Sequence, residues 1–434
     1  MTGADPDRKP HQHLTRRRFF LGAAGVAGAA AVGVGVDAAA SSGGSGGSSV
    51  TVPHVTLASA PPGLPARQHA WTATEARDSD GNPIAPRFDR LLFFDVEGRP
   101  THAYARLLEA SLRTLEHRFA WGPGGLLFTV GWSPDYFDRV LHVDSPIPRA
   151  TAMSDFELPA IDDYHVCVHL AGDDERRLAD VEAALVHGTD LAGAVGPVKV
   201  TDILRWRETR TGFVGAGLPA AHQDTGGIPS GQPVAKSAPL FMGFKSNYKH
   251  NQATEDAVTI PTGPFAGGTT MAVSYMRLRL DSWYGQLSER ERVARMYAPQ
   301  VTPREANAFT TDAASDPGKV NQAINHYGVI GHAQTSARAR RHGKPLIQRR
   351  DFNTVDGGQA GLHFVCIQQS IQDFVTTRNA MNASSAQLQN PAITDTVNNG
   401  INEFIFVLKR ANYILPARAD RSFPLLPGRA RALA

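Results

Sequence analysis

The chain has 434 residues, more than one ordinary core accommodates, since domains usually run ~100–200 residues. With 42% hydrophobic and 20% charged residues, its composition is that of a globular protein and excludes a disordered or collagen-like chain. The net charge of +3 comes from basic residues interspersed with acids, so the concentrated positive face that nucleic-acid binding needs is missing.

Arg16-Arg17-Arg18-Phe19-Phe20-Leu21 precedes a Gly/Ala-rich apolar run that ends in Ala38-Ala39-Ala40-Ser41. Basic, apolar and small residues in that order make a signal peptide over residues 1–40, and the paired arginines resemble the twin-arginine export signal. A membrane anchor needs ~20 apolar residues, and this run is shorter and glycine-rich. The resemblance implies handling by the twin-arginine export machinery, delivery to an extracellular, periplasmic or cell-surface space, and a route that carries folded cargo, often with its cofactor already inserted. Residues 41–65 are a Gly/Ser- then Pro-rich linker with nothing to bury, so folded structure is expected from about Arg67.

Leu91-Leu92-Phe93-Phe94-Asp95-Val96 reads as a strand, and Leu107, Leu108, Leu112 and Leu115 recur at helical spacing behind it. Strand-like LLFTVGWS, a short helix in PDYFDRV, strand-like YHVCVHLAG, a helix in DDERRLADVEAALVHG and strand-like VKVTDILRW follow. The order β-α-β-β-α-β is the ferredoxin-like pattern, an antiparallel sheet with helices on one face. From LFMGF the grammar repeats: strand MAVSYMRLRL, one helix over DSWYGQLSERERVARM, strand GLHFVCIQ, helix SIQDFVTTRNAMN and a last strand FIFVLKRANYIL. The expected fold class is α+β, with two ferredoxin-like domains at 66–232 and 233–434. The connection from about Pro299 to Leu346 is too long to be idle, because structureless loops beyond ~15 residues are usually functional or disordered.

Phosphate-loop, Gly-x-Ser-x-Gly and His-Glu-x-x-His motifs are absent. His165, Cys167 and His169 share one face of a strand, but at about 7 Å per two residues they read as a packed sheet face rather than one metal site. Asp78-Ser79-Asp80-Gly81-Asn82 has its glycine misplaced for a calcium loop and reads as a surface turn. Cys167 and Cys366 lie in apolar strands and are expected as buried free thiols. The informative stretch holds His332 in the long connection, Arg349 and Arg350 about 17 residues later, and then an apolar strand with Leu362 and Phe364. An imidazole, a guanidinium and an apolar wall are the ingredients of a haem peroxidase site, but composition and spacing alone equally describe a solvated surface beside an apolar strand.

RQHAW from Arg67, LLFFDV, GWSPDYFDR, FAGGTTMAVSYMRLRLDSWYGQLSERERV, GHAQTSARA, IQRRDF and GLHFVCIQ occur in this order. Together they resemble the dye-decolourising (DyP-type) haem peroxidases over nearly all of the mature chain. The resemblance implies a dimeric α+β barrel binding haem b (iron protoporphyrin IX), with hydrogen peroxide and an organic reductant as reactants and room for a homo-oligomer. It implies His332 as the metal ligand, Arg349 as the distal arginine with Arg350 beside it, and Leu362, Phe364 and Phe244 against the haem.

Gly243-Phe244-Lys245-Ser246-Asn247 falls where that family carries Gly-Phe-x-Asp-Gly. The distal aspartate has become Ser246, whose hydroxyl can exchange a hydrogen bond but cannot serve as a carboxylate does. Ser246 and Asn247 are expected to orient water beside Arg349, with His250, His326 or Asp256 as substitutes for the missing acid–base group. Ser370 and Gln372 stand where relatives carry acidic residues, which makes the proximal side less anionic. The reading is an exported haem peroxidase with weakened distal acid–base catalysis. The alternatives are a haem-binding protein of haem or iron handling without efficient turnover, and a haem-free binding module.

Overall fold

The computed structural model describes residues 55–196, 198–246 and 249–427. The signal peptide, most of the linker and Asn247 lie outside the described residues. Among the described residues the strands are β1 Phe88–Val96, β2 Leu127–Trp132, β3 Ala160–Ile161, β4 Val166–Gly172, β5 Leu204–Phe213, β6 Thr269–Leu278, β7 Arg340–Arg341, β8 Lys344–Pro345, β9 Ile347–Arg349, β10 Phe352–Thr354, β11 Gly361–Gln368 and β12 Ile405–Leu415. The helices are α1 His102–Arg118, α2 Glu175–His187, α3 Leu280–Gly285, α4 Glu289–Met296, α5 Thr311–Ser315, α6 Pro317–Gln322, α7 His332–Ser336, α8 Ile371–Asn382 and α9 Ser384–Gln389.

The first half of the sheet has the order β5-β1-β4-β2 and the second β12-β6-β11-β9, each the fourth-first-third-second arrangement of a ferredoxin-like unit. They meet at two narrow seams, Ile414 opposite Trp132 and Asn353 opposite Phe213, and β10 also pairs with β11. The sheet thereby closes on itself as an antiparallel α+β barrel. Strand alternation separates two cores. Leu91, Phe93, Cys167, Val273, Val365 and Tyr413 point inside the barrel, while Leu92, Phe94, Val130 and Val168 pack outward under α1 and α2. Both cysteines are buried and unpaired, and burial pushes both thiols well up.

Two local differences from the sequence expectations have physical causes. VKVTDILRW does not start a strand at Val198: a 3-10 turn fills Val200–Asp202, and β5 runs on through polar residues to Phe213. Its polarity hides it because the barrel interior there holds an ionic cluster, with Arg210 bonding Asp162 at 2.8 Å and Glu208 at 2.9 Å and Lys409 bonding Glu208 at 2.8 Å. The helix expected over DSWYGQLSERERVARM splits into α3 and α4, since Ser288 and Glu291 form a capping box that starts a new helix.

A register shift between Val407 and Lys409 reverses the phase of β12. Ile405 and Val407 therefore face outward, whereas Ala411, Tyr413 and Leu415, of the same parity, face the barrel interior. Among the described residues no helix is long and apolar enough to cross a membrane.

Candidate functional site

The outer face of the second half-sheet does not close against its helices. Between β6, β11 and β12 on one side and α7, α8 and the 240–246 loop on the other lies a cavity of about 1080 Å³, part of it open to solvent. Alternation places Met276 and Leu278 of β6 and Leu362 and Phe364 of β11 on its wall, and the shifted register of β12 adds Ile405 and Val407. Four of the seven methionines, Met242, Met276, Met296 and Met381, line it as well.

His332 lies on this wall, at the first residue of α7. Its backbone is clamped: a Cβ on Gly331 would sit 1.9 Å from the Tyr297 carbonyl oxygen, and a Cβ on Gly400 3.0 Å from the His332 Cα. Only glycine fits at 331, and at 400 a side chain would be tight against His332 on a backbone whose φ of +54° favours glycine. The ring itself faces the cavity, and among the described residues neither ring nitrogen has a hydrogen-bond partner. Burial, then the charges of Arg349 and Arg378, bring its pKa down to about 3, so the imidazole is neutral and has a lone pair to offer a metal.

Arg349 ends β9 and enters the same cavity. Its guanidinium donates to the Ser246 carbonyl at 2.7 Å, while its buried Nε has no partner among the described residues. The loop that brings Phe244 and Ser246 here is anchored by Lys245, whose ammonium binds Asp80 at 2.8 Å and Asp78 at 3.5 Å in the turn read from the sequence as a surface feature. Arg378 and Arg410 form a third cationic region, joined by buried Glu157 at 2.6 and 3.0 Å. Burial alone would raise the Glu157 carboxyl, but the two guanidinium groups outweigh it and hold it below its ordinary value. Two positive charges thus share one negative charge at the cavity edge.

Of the residues singled out from the sequence, His332, Arg349, Ser246, Phe244, Leu362 and Phe364 come together on one cavity. Arg350 does not, which corrects the expectation that it contacts the same ligand. Adjacent residues of an extended strand point to opposite sides, so Arg350 stacks on Trp71 at 3.8 Å from the ring centre and donates to the His69 carbonyl at 2.5 Å. Asp256 pairs with Arg67 at the surface, and neither His250 nor His326 lines the cavity, so none of the three proposed acid–base substitutes is in place. His165 accepts from the Val96 N–H and His169 bonds Asp89 at 2.8 Å, each held within its own sheet neighbourhood.

Sequence reasoning missed Asp351. It is buried, lines the cavity, and accepts a hydrogen bond from the Ser246 hydroxyl at 3.0 Å. The period-two rule applied to Arg349-Arg350-Asp351 puts Asp351 on the side of Arg349 and would have joined the two once that arginine was taken as the distal one. Arg378, Arg410 and Glu157 were missed because their juxtaposition joins segments more than two hundred residues apart and leaves no local signal.

A closed antiparallel α+β barrel is the fold of solved DyP-type peroxidase structures. The DyP-type peroxidase from Cellulomonas bogoriensis is 17% identical, with a TM-score of 0.53 over 80% of this chain and 94% of its own. A variant of Rhodococcus jostii RHA1 DypB in complex with heme is 12% identical, with a TM-score of 0.50 over 82% of this chain and 98% of its own. These likenesses establish the fold. Residues 86–417 match the family of unknown function DUF7405, and the chain belongs to that family. No curated protein matches the sequence.

Proposed function

We propose that this chain is an exported, haem b-dependent peroxidase that oxidises organic donors with hydrogen peroxide. The observation that carries the reading is the meeting, on one largely apolar cavity, of a neutral imidazole and a guanidinium Nε that have no hydrogen-bond partner among the described residues. The residues fit the group: His332 would ligate the iron, Phe244, Leu362 and Phe364 would contact the porphyrin, and Arg378 with Arg410 offers excess positive charge for its carboxylates. Haem, when bound, supplies the redox chemistry that lets peroxide be reduced at the expense of an organic donor.

The chain's own contribution is positional and electrostatic. The apolar wall excludes water and strengthens every charge inside it. Arg349 directs N–H donors and a fixed positive charge at the cavity, which favours charge developing on a peroxide oxygen, and the Ser246 carbonyl holds that guanidinium in place. The export signal read over residues 1–40 supports delivery outside the cytoplasm.

A second reading, haem or iron handling without efficient turnover, is favoured by the His332 ring, which has no hydrogen-bond partner among the described residues. A metal-bound imidazole normally donates its other N–H to a carboxylate or carbonyl, which raises its basicity as a ligand. One experiment covers both. The purified protein is titrated with haemin and the intense near-ultraviolet band of ligated haem is recorded, followed by dye oxidation with peroxide. The peroxidase reading expects stoichiometric uptake that His332→Ala abolishes, together with turnover; uptake without turnover selects haem handling. Wild-type protein that takes up no haem refutes both.

A further inference from the structure

We propose that Asp351 is the proton-transfer group of this cavity, held in place by the Ser246 hydroxyl, so that the carboxylate missing from the Gly243–Asn247 stretch is supplied from the strand that carries the arginine. The inference rests on the peroxidase reading above and assigns a role that the resemblance does not.

The geometry is specific. Arg349 and Asp351 stand two residues apart on an extended segment and therefore point to the same side, into the same cavity. Ser246 touches both: its carbonyl accepts from Arg349 at 2.7 Å and its hydroxyl donates to Asp351 Oδ1 at 3.0 Å. One short residue thus fixes a cation and a carboxylate side by side. An aspartate at position 246 would set a second carboxylate against Asp351, and two acids in contact cannot both ionise freely. A serine there leaves Asp351 as the single acid of the cluster.

Arg349 and Asp351 also line a second, smaller cavity on the other side, with Trp71, Glu75, Asp89, Gln252 and Arg350 among its walls. The pair therefore sits between an apolar chamber and a polar one, where a proton carrier has a place to exchange with water. The groups facing Asp351 are Arg349, Ser246, Cys366 on β11 and Asp89 on β1. Burial raises the Asp351 carboxyl above its ordinary value, against Arg349 and the Ser246 hydrogen bond, which moves it toward the range useful for accepting and returning a proton.

In the proposed step the Asp351 carboxylate takes one proton from hydrogen peroxide. It returns that proton to the departing oxygen as the O–O bond breaks, and that oxygen leaves as water. The carboxyl ends the step as it began. The oxygen left behind is two electrons short; bound haem would supply those electrons and recover them, with the two protons of the second water, from the organic donor, so that one peroxide gives two waters.

Full-length Asp351→Asn keeps the shape and can still accept from Ser246. It is expected to take up haem as wild type does and to lose about 10²–10⁴-fold in the rate of peroxide reaction. The double variant Ser246→Asp/Asp351→Asn returns the carboxylate to the neighbouring position and is expected to recover most of that loss. A measurement independent of haem is the melting temperature of the haem-free protein. A buried acid with a raised pKa destabilises the fold when ionised, so Asp351→Asn should melt higher than wild type at mildly alkaline pH, the gap closing as the pH falls to about 4. An unchanged peroxide rate in Asp351→Asn with haem bound overturns the inference and leaves the peroxidase reading standing. A lost rate that the double variant fails to recover, with Asp351→Asn melting lower than wild type, makes Asp351 a structural anchor and also overturns it. Wild-type protein without haem uptake or peroxide turnover removes the peroxidase reading and this inference with it.

Discussion

Replacing Glu157 by glutamine keeps the side chain's size and removes one charge. Its carboxylate is 2% exposed and lies 2.6 Å from Arg378, itself 5% exposed, and 3.0 Å from Arg410, which is 1% exposed. Each pair is worth ~4 kcal/mol of gross attraction at a charge separation of about 4 Å and an effective dielectric of about 20. Most of that offsets the cost of desolvation, and breaking such a buried cluster by removing one partner costs about 3–5 kcal/mol. The lower end applies, since Arg378 keeps Asn382 and Arg410 keeps the Thr151 carbonyl as acceptors. Glu157→Gln should therefore lower the stability of the haem-free protein by about 3 kcal/mol, read as the shift of the urea midpoint at neutral pH. The Glu157 carboxyl is held below its ordinary value, so its contribution is present above the unfolded pKa and lost as pH falls through the folded one. The gap between variant and wild type should accordingly narrow below about pH 4. An unchanged midpoint at neutral pH would show that the two arginines find other compensation and would refute the reasoning.

Glu75 has the opposite sign. Burial, with Glu255 and Asp89 adding to it against Arg350, raises its pKa to about 7. Its ionised form weighs against folding above that value, so Glu75→Gln should stabilise by about 1–3 kcal/mol at mildly alkaline pH, an advantage that thermal melts should lose between about pH 7 and pH 4.5. Gly400→Ala places a methyl group 3.0 Å from the His332 Cα at a positive φ. It should cost about 1–3 kcal/mol in denaturant melts and weaken haem uptake by displacing the histidine, whereas loss of stability with unchanged uptake would separate Gly400 from the site.

Strong periodicity made much of the fold legible. The leucines of α1, the continuous apolar runs of β1 and β11, and Ser370 at the start of α8 each point to the element the structure contains. β5 was obscured because ion pairs inside the barrel replace apolar alternation, and the phase reversal in β12 left no mark in a run that is apolar at nearly every position. At the site, His332, Arg349 and Phe244 were legible through a family resemblance rather than through their own chemistry. Asp351 belongs to no motif, although its two-residue spacing puts it on the side of Arg349, and the Glu157 cluster has no sequence signal at all, because long-range ion pairs are set by tertiary packing.

The two seams of the barrel dictate an order of completion. Trp132 of β2 waits for Ile414, and Phe213 of β5 waits for Asn353, so the first ferredoxin-like sheet is made with both outer strands unsatisfied while some hundred and forty further residues are still to come on one side and more than twice that on the other. Open strand edges invite pairing with foreign chains, and distant partners are slow to find. The nascent first half is therefore the vulnerable species of this protein, and any chaperone that protects it has to hold on until the last strand has been synthesised and docked.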